Sequence, residues 1–171
     1  AAIVKSDFPD AVKQMLLHGF DSEEPLCETI SNNVSKLMKK KVQIRSFLGI
    51  GSFGIVLETK NGDALKIVFE RSPRHIRREV RIQRFMASKK LAPAVLSRYI
   101  KKGRTFGRTI VYGFEMQKIL GTTTKILFGE DEEEFSILLS RISEIIKSMA
   151  KHRITHGDFW SENITINKEG E

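Results

Sequence analysis

The chain has 171 residues, 40% of them apolar, and a formal charge of +8. That length suffices to bury a core. No run approaches the roughly 18 apolar residues that span a bilayer, and the single cysteine, Cys27, excludes an internal disulfide and a thiolate metal site. The sequence reads as an intracellular protein, cytoplasmic or nuclear, with no membrane association. Its charge calls for an anionic partner: a nucleotide, a nucleic acid or an acidic protein surface.

Apolar residues at helical spacing predict two helices before position 40, an N-terminal helical extension over 1–40: Val12, Met15 and Leu16 in the first, Ile30, Val34, Leu37 and Met38 in the second. From Val42 the texture changes to short strand-like runs, VQIRSFLGIG, GIVLETK and DALKIVFE. Asn61-Gly62 joins the last two as a hairpin turn, because both residues tolerate positive φ. An arginine-rich helix follows in SPRHIRREVRIQRFMASKK, with Ser72 as cap and Pro73 at its first position. Two more strands, AVLSRYIKK and RTIVYGFEMQKI, flank a glycine-containing turn, and LGTTTKILFG reads as a loop. The segment from 131 to 151 has acids in its first turn, basic residues in its last, and an apolar face of Phe135, Leu138, Leu139, Ile142, Ile145, Ile146 and Met149.

Within the first strands, GIGSFGIV sets Gly49, Gly51 and Gly54 at G-x-G-x-x-G-x-V spacing, ending on Val56. A dinucleotide-binding fingerprint needs a helix after its glycines. Here they join two strands, a setting in which backbone amides fold over a polyphosphate with no Cβ in the way. The next strand supplies Lys66 in ALKIV. The following helix supplies Glu79, a carboxylate placed to pair with that lysine and hold it toward phosphates.

Together with HGDFWSEN at 156–163, these motifs resemble the protein-kinase fold from about Val42 onward. The resemblance implies an α+β fold. A small lobe over 41–119, a five-stranded antiparallel sheet plus one helix, would precede the start of a helical large lobe over 120–171. It implies ATP and Mg2+ as cofactors. ATP would be held by Gly49, Ile50, Gly51, Ser52, Phe53, Gly54, Val56, Ala64 and Lys66, with Met116 near the gatekeeper position and Gln117 to Ile119 offering backbone groups to adenine. Asp158 would orient and deprotonate the attacking hydroxyl, Asn163 would hold a magnesium ion, and Glu79 would position Lys66.

Gly157 stands where regulated kinases carry an arginine that pairs with a phosphorylated activation loop, so that kind of switch is not expected. The HGD form is similar to RIO kinases, the KEOPS kinase and haspin-like kinases, and also to fructosamine- and aminoglycoside-type small-molecule kinases. The glycine loop is closer to a protein kinase, so a serine/threonine protein kinase acting on a protein substrate is the first reading. By the same spacing the D-F-G aspartate, the principal magnesium ligand, falls beyond Glu171. Two readings follow: the N-terminal part of a longer kinase, or a shortened inactive module that binds and regulates a partner such as another kinase. The chain alone is expected to show little turnover, and to hide the apolar face of its long helix in a homodimer or against a partner.

Other residues read more plainly. His152 and His156 stand at i, i+4 without a third ligand, and His156 belongs to the catalytic-loop motif. Met15, Met38, Met86, Met116 and Met149 suit packing, and the acids from Glu130 to Glu134 suit a helix N-terminus. Arg71, Arg74, Arg77, Arg78, Arg81, Arg84, Lys89 and Lys90 form either a solvated face or an anionic docking surface, with nucleic acid as a third, weaker class of partner.

Overall fold

The computed structural model describes residues 12–13, 24–51, 54–69, 72–105, 110–119, 121–123, 132–154 and 165–167. Two compact units divide the chain, Ala1–Lys118 and Ile119–Glu171.

The first unit is α+β. Strands β1 (Ile44–Gly51), β2 (Gly54–Thr59), β3 (Ala64–Val68), β4 (Lys101–Arg104) and β5 (Ile110–Met116) form one sheet in the order β1-β2-β3-β5-β4. Every neighbouring pair in it is antiparallel. Alternation along the strands sends Ile55, Leu57, Leu65, Ile67 and Val111 to one face. Helix α1 (Glu24–Met38) lies in the same buried cluster through Ile30, Val34, Leu37 and Met38.

The described part of segment 1–40 contributes to the core on that face through Val12 and α1. Gly113 shows how closely the helix approaches, since a Cβ there would lie 2.8 Å from Leu37 Cδ2. The Ser35 hydroxyl donates to the Val42 carbonyl at 3.1 Å and accepts from the Val42 amide at 2.9 Å, tying the entry of β1 to α1. Of the first expected helix only Val12 and Lys13 are described, both helical, and Val12 is buried.

On the other face, helix α2 (Pro73–Ser88) buries Ile76 against Val68 and Tyr112. Ser72 is extended at the N-cap and Pro73 opens the helix, but the serine side chain makes no capping hydrogen bond. The β2–β3 turn also differs from expectation. Only Gly62 takes positive φ, at 87°; the Gly62 amide donates to the Thr59 carbonyl and the Thr59 amide to Asp63. This is a type I turn closed by a glycine bulge, so Asn61 needs no left-handed conformation.

The fourth strand begins later than AVLSRYIKK suggests, at Lys101. Its expected start is held by side chains and a few irregular backbone hydrogen bonds, from the Leu96 and Ser97 amides to the Glu115 carbonyl and from the Gln117 amide to the Ala94 carbonyl, and not by a regular ladder. Gln83 Nε2 donates to the Pro93 carbonyl, and Arg84 donates to the Ser97 and Arg98 carbonyls at 2.7 and 2.8 Å. Only Val95 makes a bridge, to Met116.

In the second unit, helix α3 (Glu132–Lys151) closes with Arg153 at φ 56° and the Ile154 amide donating to Met149. Met149 is buried, whereas Ile137, Leu139 and Ile146 are exposed. A short antiparallel pair, β6 (Gly121–Thr123) with β7 (Thr165–Asn167), falls partly in the stretch expected to be loop. Among the described residues no helix is long and apolar enough to cross a membrane.

Candidate functional site

Period-two alternation that sends Leu65 and Ile67 toward α1 must send Ala64, Lys66 and Val68 to the opposite face. Strand register then assembles rows across three strands. Val56 of β2 and Phe114 of β5 flank Lys66, while Glu58 and Met116 flank Ala64. Residues scattered over sixty positions thus share one small area. Phe114 and Ala64 are buried, so Ala64, expected to contact ATP, is already covered by protein.

Lys66 Nζ donates to Glu79 Oε1 on α2, so the pairing expected from sequence is present. The lysine side chain is 32% exposed and the glutamate 37%. A pair this open contributes at most about 1 kcal/mol to stability. What it accomplishes is positional: a flexible ammonium is held over the sheet by a carboxylate from a different element.

The glycines have distinct local reasons. Gly51 pairs with Gly54, and the register shifts between Phe47 and Gly49. A Cβ on Gly54 would lie 2.3 Å from the Ile67 carbonyl oxygen, so close approach of β3 demands glycine there. A Cβ on Gly49 would come within 4 Å of no atom of the other described residues apart from its chain neighbours. Ile50 is exposed on the same hairpin. Ser52 and Phe53 lie outside the described residues, as do His156, Gly157, Asp158 and Asn163.

Beyond β5, the Gln117 amide donates to the Ala94 carbonyl at 2.8 Å, so that group is already engaged and cannot serve adenine unless the bond is released. Met116 Sδ accepts from Gln83 Nε2 at 3.4 Å. Ile119 is exposed at the start of the second unit.

Sequence reasoning passed over Glu58. It is buried on β2, two residues past Val56, and its carboxylate accepts from Lys118 Nζ and from the Ser46 hydroxyl, each at 2.7 Å, with Arg45 at 3.6 Å. The signal was available, because an acid at an inward strand position needs cationic or donor partners. Its cation, however, lies sixty residues away. The Lys118 hydrogen bond, then the Ser46 hydroxyl, hold the Glu58 carboxyl below the usual carboxylate range, against the opposing effect of burial; the charges of Lys118 and Arg45 add to the lowering.

A carboxyl lowered on folding stabilises the fold above its unfolded value. That stability is lost as pH falls through the lower folded value. Melting temperature measured on the acid side of pH 4.5 is expected to fall more steeply for the wild type than for Glu58→Gln. Identical acid slopes would show that the Glu58 network does not contribute.

The chain matches no protein-family model and no curated protein sequence. Among the described residues no three His, Cys, Asp or Glu side chains gather where they could hold a metal ion.

Proposed function

We propose that this chain is the nucleotide-binding part of an ATP-dependent phosphotransferase, an atypical serine/threonine protein kinase. The observation that carries the reading is the Lys66–Glu79 ion pair joining β3 to α2, on the sheet face that also presents Val56, with the glycine-bearing β1–β2 hairpin one strand away. A lysine fixed by a carboxylate, with a third of its side chain open, suits the α and β phosphates of ATP. The space around Gly49 leaves backbone accessible to an anion.

Bound ATP supplies the transferable phosphoryl group, and Mg2+ supplies charge neutralisation. Lys66 orients the phosphates and Glu79 holds Lys66. The roles of proton acceptor and magnesium ligand fall to Asp158 and Asn163 on the kinase resemblance alone.

Thermal melting with and without Mg-ATP tests the reading. Ligand at about 100 times its Kd adds about 2.7 kcal/mol through linkage, so the wild-type melting temperature should rise. Lys66→Ala should remove most of that rise, and Glu79→Gln should reduce it. An unchanged melting temperature for folded wild-type protein at about millimolar Mg-ATP would overturn the reading.

A further inference from the structure

Charge is distributed very unevenly along this chain. Residues 71–114 contain thirteen Lys and Arg against one acid, Glu79, a local charge of +12 in a chain whose total is +8. The fold turns that single acid toward Lys66, leaving the other flank of α2 without a carboxylate of its own. Arg77, Arg81 and Arg84 recur on that flank at i, i+4 and i+7. Arg84 fixes where the flank lies, because its guanidinium grips the Ser97 and Arg98 carbonyls and holds that loop against the helix. Arg84 is thus a structural pin, although it is exposed, as Arg77 and Arg81 are.

Strand β4 continues the surface at the edge of the sheet. Its Lys102 and Arg104 are exposed and pair with Tyr112 and Ile110, the residues packed on the α2 side. Lysines on an edge strand are accounted for by protection against strand pairing. Tyr99 is not: it is 62% exposed on the pinned loop, with the Arg98 guanidinium 5.1 Å from its ring centroid. An acidic peptide would require only the cations. An exposed ring braced by a guanidinium among exposed cations is suited to unpaired bases, which stack on aromatic faces while their phosphates follow the positive charges.

We propose that the flank formed by α2, the loop around Tyr99 and edge strand β4 is a binding surface for single-stranded nucleic acid, with Tyr99 as a base-stacking platform. The surface includes neither Lys66 nor Glu79, so it stands or falls independently of the nucleotide reading.

The test is fluorescence anisotropy of the full chain with labelled single-stranded RNA, single-stranded DNA and a duplex of the same sequence, at salt from about 50 to about 200 mM. Single strands should bind more tightly than the duplex, with affinity falling as salt rises. Tyr99→Ala should weaken single-strand binding about tenfold, with Tyr99→Phe retaining it. Arg77→Ala with Arg81→Ala should reduce the magnitude of the log–log salt slope by about 1.4, the value for two lost phosphate contacts on a single strand. Lys36→Ala with Lys60→Ala removes the same charge elsewhere and should change neither quantity. No binding at the lowest salt, equal losses from the two double variants, or preference for duplex with no effect of Tyr99→Ala would each overturn the proposal. Binding of poly-glutamate in place of either oligonucleotide would reassign the surface to an acidic protein.

Discussion

Leu37→Ala is expected to cost about 4 kcal/mol, near the upper end for a buried leucine. Leu37 is 2% exposed, and its δ carbons reach the backbone of two strands at glycines, Gly103 of β4 and Gly113 of β5. A cavity is relieved when neighbouring side chains lean into it. Here the walls on the sheet side are glycine backbone held in ladders with β5 and β3, so they cannot lean. Urea denaturation should show a lower midpoint with an unchanged slope. A loss under about 1 kcal/mol would mean that α1 rests on the sheet without completing its core. The same reasoning implies that a chain begun at Val42 would expose Ile55, Leu57, Leu65, Ile67 and Val111 together.

The second large effect separates two glycines of one motif. Gly54→Ala should cost about 3 kcal/mol, because the new methyl group meets the Ile67 carbonyl at 2.3 Å and both partners are strand backbone. Gly49→Ala brings its methyl group within 4 Å of no described residue beyond its chain neighbours. It should stay within about 1 kcal/mol of wild type, since alanine loses less backbone freedom than glycine on folding. Melting of both variants side by side decides the matter. Similar losses at both sites would contradict the packing difference. On the proposed function, Gly49→Ala should instead weaken the stabilisation given by Mg-ATP, a loss of binding without a loss of fold.

Much of the first unit was legible in the residues themselves. Short strand-like runs marked β1, β2, β3 and β5, and apolar residues at helical spacing marked α1 and, in the second unit, α3. Proline after serine marked the start of α2, and glycine after asparagine marked the β2–β3 turn. These signals are local: each depends on the chemistry of a few neighbouring residues. The Lys66–Glu79 pair was legible for a related reason, being a strand lysine followed at short range by a helix acid.

Other features depended on which strands became neighbours. Leu96 and Ser97 lie in a run that looks like a strand, yet their amides donate to the Glu115 carbonyl and the loop is held by Arg84, so the ladder starts only at Lys101. The arginines of α2 look alike in sequence, and Arg77, Arg81 and Arg84 are all exposed, but the fold brings the Ser97–Arg98 loop to Arg84, which pins it. Glu58 and Lys118, sixty residues apart, meet only through the folded arrangement of the unit.

By itself, then, the sequence determined most of the described elements of the first unit, the basic character of the chain's middle third and the pairing of Lys66 with Glu79. Tertiary structure alone decided that α1 completes the core, that Glu58 is neutralised by Lys118, and that a basic flank with an exposed tyrosine forms beside the edge strand without including Lys66 or Glu79. Propensity and periodicity act over a few residues, whereas burial and long-range ion pairing exist only once distant segments have been brought into contact.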